Sequence, residues 1–339
     1  MNSNSKRPRY PHPENGSIRA ILLENPSTRL YIHPLAWNAS HLENLSLVLH
    51  HLPPHLEPKN VDEPVPDILS RSIYKWTGFC KEIAGIQACE SRSERDQLMG
   101  YLVRDLALTV VLRGYLAFQY ARVSVAKISL PLIFENRQQP TSSPVWAYID
   151  QATYSSQRRG FHRRRKRPYN YVTRLIQEAK ALPIDPLYVA ILIALGQEAR
   201  EARGTRESGI LKIPQKVSLF VSKHVDAGLV GKSRLVTTLH HYTATITDEY
   251  LLEFDEPYHH HGGELHIHHE AIPFSSPLAV YQALERACGG HEGTQANSSM
   301  KRDALHDATK ETEHDTTKET LHNTTEEALH DTTKETVNK

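Results

Sequence analysis

The sequence predicts an α+β fold in which helices precede a small antiparallel sheet. Three observations carry that expectation. Apolar residues recur at helical spacing through the first part of the chain, the period changes from 3.6 to 2 after residue 215, and a period of eight takes over near the C-terminus. The chain therefore divides into a Pro/His-rich, mostly disordered segment over 1–66, an α+β globular domain over 67–290 and a disordered tail over 291–339.

Taken in order, the first segment carries Pro8, Pro11, Pro13, Pro26, Pro34, Pro53, Pro54, Pro58, Pro64 and Pro66. Proline fixes φ and removes a backbone donor, so long helices and central strands are not expected there. A short apolar stretch, Leu42–Leu52, is expected as a helix docked on the domain. Ser91 with Glu94 reads as a capping box. Behind it Leu98, Leu102, Leu106 and Val110 predict a helix over about 92–118. Val123, Val125, Ile128, Leu130 and Leu132 fit a strand, although periodicity alone does not separate it from a helix, and Gln138 to Pro144 is a turn-rich break.

Two helices follow with clear punctuation. Tyr171, Leu175, Ile176, Ala179 and Leu182 make one apolar stripe, ended by Pro183. Asp185 then caps a second helix with Pro186 in its first turn, where the missing N–H costs nothing, and Gly204 stops it. Lys216–Lys223 and Arg234–Ile246 read as strands joined by a long hairpin loop. Thr247 caps a short helix to Phe254, and Ser276-Pro277 opens the last, Leu278–Cys288. The tail holds four imperfect octads over 305–336, beginning LHDATKET. Eight residues leave a rotation of about 80° per copy on an α-helix, so the leucines spiral and build no coiled-coil seam.

Composition removes several classes of function. The 339 residues contain 40 Lys+Arg and 39 Asp+Glu, but the balance is uneven. From His291 onward there are six basic and eleven acidic residues, net −5, which leaves 34 basic against 28 acidic before it, net +6. Three cysteines without a CxxC spacing exclude a disulfide scaffold and a cysteine-rich zinc module. No apolar run follows the basic N-terminus as in a signal peptide, and the apolar stretches Leu106–Phe118 and Pro186–Leu195 fall short of the roughly 20 residues a membrane span needs. An intracellular protein, nuclear or cytoplasmic, with no membrane partner is expected.

The strongest charge feature is Arg158-Arg159-Gly160-Phe161-His162-Arg163-Arg164-Arg165-Lys166-Arg167. Seven cations in ten residues repel one another and are expected to hold the run extended unless an anion neutralises them. Such a run binds polyanions with strong salt dependence and also reads as a nuclear-import signal, so nucleic acid or an import receptor is the expected partner. Tyr154, Phe161, Tyr169 and Tyr171 flank it and supply stacking surfaces. The competing interpretation is a solvated loop.

The second feature runs from Tyr258 through His259, His260 and His261 to Glu270. A strand over 264–270 puts His266, His268 and Glu270 on one face, a ligand set for a divalent metal cofactor. Its HxH-then-Glu order resembles the cupin metal motif, with the Glu too close behind the second His. A metal-dependent nuclease is a further alternative, with Asp150 as its first carboxylate, but no Glu-x-Lys lies on a predicted strand. Gly228–Ser233 contains GKS without the P-loop's first glycine, and GxSxG, HExxH and GxGxxG are absent.

Tyr148–Tyr154, Val189–Gln197, Leu239–Ile246 and Tyr250–Pro257, in that order, resemble a group of uncharacterised proteins from filamentous fungi. The resemblance covers about 145–257 and carries no activity with it, and it leaves open an accessory role in a secondary-metabolite pathway. The expectation is a non-enzymatic interaction or regulatory module that contacts nucleic acid through the basic run. The rival is a metal-dependent enzyme using His266, His268 and Glu270.

Overall fold

The computed structural model describes residues 12–26, 28–53, 73–89, 91–105, 114–135, 145–204, 214–225 and 235–287. The chain divides into two units, Met1–Gly290 and His291–Lys339, and every element below belongs to the first. The octad repeats, the break at 138–144 and the GKS sequence lie outside the described residues.

Six strands form one mixed sheet: β1 (Leu47–His51), β4 (Leu132–Glu135), β5 (Val145–Asp150), β6 (Gln215–Val225), β7 (Leu235–Ile246) and β8 (Leu265–Pro273). Their order is β1-β8-β7-β6-β5-β4, with β1/β8 and β5/β6 parallel and the other pairs antiparallel. A separate hairpin joins β2 (Tyr115–Tyr120) to β3 (Val123–Ser129). The sheet is thus neither small nor purely antiparallel, and helices alternate with strands instead of preceding them.

Apolar side chains leave both faces of the sheet, so helices cover both. On one face Ala147, Ile149, Val217, Leu219, Val221, Tyr242, Ala244, Leu265 and Ile267 join a core with α1 (Ile18–Glu24), the hairpin, α5 (Gln151–Arg164), α7 (Pro186–Gly204) and α8 (Asp248–Asp255). On the other face Trp146, Tyr148, Phe220, Leu239 and Ile272 pack with α3 (Ile73–Ala88), α4 (Arg92–Asp105) and α9 (Pro277–Ala287). Helix α7 is buried at every residue from Leu187 to Leu195. It passes so close to β7 that a Cβ on Gly196 would lie 2.8 Å from Ile246 Cδ1. The Asp185 cap and the turn after Pro183 place this helix as expected, and α6 (Tyr169–Ala181) precedes it.

Two expected helices give way to strands. Leu42–Leu52 does not form a helix. A short helix, α2 (Ala39–Glu43), ends there, Ser46 takes a left-handed φ of 45°, and Leu47 and Leu49 alternate with Val48 and His50 along β1. The Pro-rich segment therefore supplies α1, α2 and an edge strand of the sheet. The helix expected over 92–118 is α4 as far as Asp105, and Tyr115–Phe118 opens β2. Among the described residues no single helix is long and apolar enough to cross a membrane.

Candidate nucleic-acid interface and a polar cleft

Helix α5 begins at Asp150, at the end of β5. Asp150 Oδ1 accepts from the Ala152 and Thr153 amides at 2.8 and 3.2 Å, while Oδ2 accepts from Ser222 Oγ at 3.0 Å and Arg95 Nε at 3.2 Å. Asp150 is fully buried and serves as a helix cap and the anion of a buried ion pair. The nuclease alternative places Asp150 as its first carboxylate; here the side chain caps α5 and pairs with Arg95.

The basic run is helical as far as Arg164, which corrects the extended conformation expected from repulsion alone. Its side chains meet different fates. Arg158 is completely buried, pairs with Asp185 at 3.2 Å and donates to the Leu35 carbonyl at 3.2 Å. It is lost to any external partner. Arg159 and the unbroken series Arg163, Arg164, Arg165, Lys166 and Arg167 are exposed, and none of them forms an ion pair with a carboxylate among the described residues.

The turn that presents this series is well built. The Arg167 N–H donates to the His162 carbonyl at 3.2 Å and the Lys166 N–H to the Arg163 carbonyl at 2.9 Å, the paired bonds of a Schellman motif. Lys166 holds the left-handed position at φ 54°, where glycine is the usual residue. Arg165 lies over the Phe161 ring with 3.7 Å to the centroid, and Arg167 over Tyr171 at 5.8 Å. Beside them Tyr169, at the start of α6, is 77% exposed. His33 packs on Phe161, and burial, with Arg164 and Arg165 nearby, pushes its pKa down.

Strand β8 places His266, His268 and Glu270 on one face, as the period-two reading expects. They do not converge as a ligand set. Glu270 is bound by Arg286 at 2.9 and 3.2 Å, and His266 Nδ1 lies 3.1 Å from His50 Nε2 on β1. On the opposite face His269 meets His51 and His240, at 3.1 and 2.7 Å. Upstream, Glu253 accepts from the His261 and Gly262 amides. Among the described residues no group of three or more His, Cys, Asp or Glu is placed to hold a metal ion.

The same face of β6, β7 and β8 forms a cleft of about 340 Å³, lined by Lys216, Ser218, His241, Thr243, His268 and Glu270 and by Arg286 of α9, among others. Ser218 Oγ lies 3.1 Å from His241 Nε2, which Thr243 Oγ1 also approaches at 2.9 Å. On the other side of the ring, His241 Nδ1 lies 3.9 Å from Glu270 Oε2. Phe220 stacks on the imidazole at 4.3 Å between centroids and fixes its plane. Burial pushes the His241 pKa down, so the ring is neutral near pH 7, whereas His241 and then Arg286 hold the Glu270 carboxyl down at about 2. Sequence reasoning found only Glu270 and His268 of this group. The missing signal was register: His241 and Thr243 share a face of β7, and pairing with β6 sets Thr243 opposite Ser218. No family model, no curated protein and no solved structure matches this chain.

Proposed function

We propose that this protein is an interaction module that binds nucleic acid through the exposed turn Arg163–Arg167. The observation that carries this is the run of five consecutive cations, all exposed and none paired with a carboxylate among the described residues, held on an ordered helix end. Lys166 adds support. A lysine at a left-handed C′ position costs about 1–2 kcal/mol relative to the right-handed conformation, a strain that glycine would avoid. A cation at that position fits a role for the charge. Cations at a helix C-terminus also relieve the macrodipole, but one or two in the last turn suffice for that. Tyr169 offers a bare ring on which a base stacks, which favours single strands.

Binding of a fluorescent single-stranded oligonucleotide, followed by anisotropy across a salt series, tests this. The logarithm of the association constant should fall linearly with the logarithm of salt, with a slope of about −0.7 per phosphate neutralised. Arg163→Ala and Arg164→Ala together should reduce that slope by about 1.4. Tyr169→Ala should weaken binding by about 1–3 kcal/mol without changing the slope. Salt-independent binding, or a slope untouched by the double arginine change, refutes the proposal. If the same turn directs nuclear accumulation, the double variant will redistribute to the cytoplasm in cells.

A further inference from the structure

We propose that the cleft over β6, β7 and β8 is an acyl-transfer site that hydrolyses small carboxylic esters, with Ser218 as nucleophile, His241 as general base and Glu270 as the carboxylate that orients the imidazole. Nucleophilic serine chemistry needs three relations. The hydroxyl must reach a basic nitrogen, the other ring nitrogen must face an anion, and the assembly must open on a space that admits a substrate. All three are present. Ser218 Oγ is 3.1 Å from Nε2, Nδ1 faces Glu270 Oε2 at 3.9 Å, and each of the three residues lines the cleft of about 340 Å³. The longer separation fits a chain without substrate, since such contacts are commonly loose before substrate binds.

The side chains come from three adjacent strands, and register alone assembles them: His241 pairs with Phe220 on β6 and with Glu270 on β8. The flat stack of Phe220 on the ring and the ion pair between Arg286 and Glu270 limit movement of base and carboxylate. The imidazole is neutral and the carboxyl ionised near pH 7, the states the roles require.

In the reaction, Ser218 Oγ bonds to the ester carbonyl carbon as its proton passes to His241 Nε2. The tetrahedral species then expels the alcohol, which takes that proton, and leaves an acyl ester on Ser218. Water next gives a proton to Nε2 and attacks the acyl carbon. The carboxylic acid departs and the proton returns to Ser218. Thr243 shares Nε2 at 2.9 Å, but its branched secondary hydroxyl is the poorer nucleophile.

Treatment of the full chain with a fluorophosphonate, followed by intact mass and peptide mapping, tests the assignment. One adduct at Ser218 is expected, together with turnover of p-nitrophenyl acetate above background. Ser218→Ala should abolish both, and His241→Gln should slow turnover by about 10²–10⁴-fold. Thr243→Val should keep or raise labelling, since it removes the competing hydroxyl. Circular dichroism melts establish that each variant is folded. A folded wild-type chain that takes no adduct overturns the proposal, as does an adduct that survives Ser218→Ala. An adduct lost in Thr243→Val but kept in Ser218→Ala overturns it equally.

Discussion

Arg158 and Arg163 stand five positions apart in one basic run, in opposite electrostatic circumstances. Arg158 is sealed inside the protein, where Asp185 neutralises it and Tyr154 donates its hydroxyl to the same carboxylate. Removing one partner of a buried pair strands the other charge, which typically costs about 3–5 kcal/mol. Urea unfolding of Arg158→Ala should show a loss of that size, whereas Arg163→Ala should stay within about 0.5 kcal/mol of wild type. Equal losses at both positions would mean that the assignment of buried and exposed arginines is wrong. Composition cannot make this distinction, but periodicity can. Tyr154, Ser155, Arg158, Phe161 and His162 are the buried residues of α5, at the i, i+4 and i+7 spacing of one helix face. Counting charges hid a helix that the aromatic residues already marked.

At the scale of elements, what could be read from sequence was what local chemistry specifies. Asp185-Pro186 starts α7 and Thr247 caps α8 because a side chain a few residues away satisfies the first amides. Strand β6 announced itself by alternation and β7 by its Thr, Val, Tyr and Ile. What stayed hidden depends on distant partners or on unusual turns. Strand β1 pairs with β8 across more than two hundred residues and carries no turn signal of its own. The hairpin β2–β3 turns on Ala121 and Arg122, with φ of 53° and 60°, the left-handed pair that two-residue hairpin turns normally build from Asn and Gly. The turn persists because its surroundings hold it: the Ala121 N–H donates to the Phe254 carbonyl at 2.7 Å and Arg122 pairs with Glu256 at 2.6 Å. Alanine contributes nothing there except strain. Ala121→Asn should therefore stabilise the fold by about 0.5–1 kcal/mol, seen as a higher urea midpoint at unchanged slope. A lower midpoint would show that the turn is not left-handed in solution.

For the molecule as a whole, the pattern of histidines sets the response to acid. Burial lowers the pKa of His41 to about 4, of His269 to about 4 and of His240 to about 3, so all three are neutral in the folded state at pH 7. In the unfolded chain each titrates near 6.5. Below pH 6.5 the unfolded state therefore binds protons that the folded state refuses, and stability falls as pH drops from 6.5 to about 4. His41 alone, almost completely buried, accounts for about 3 kcal/mol over that interval. His240 and His269 touch each other and titrate as a pair, so their contributions do not simply add. One contact has the opposite sense. His259 is raised by Glu14, and its contribution is present below pH 6.5 and lost as pH rises through its folded value. That pair is exposed and screened by solvent, so the buried histidines dominate. Urea midpoints measured between pH 7.5 and 4.5 should fall steadily below about pH 6.5, and His41→Gln should flatten part of that descent while lowering the plateau. A midpoint that stayed level down to pH 5 would mean that these imidazoles reach solvent, and that the sheet is open where His240 and His269 meet.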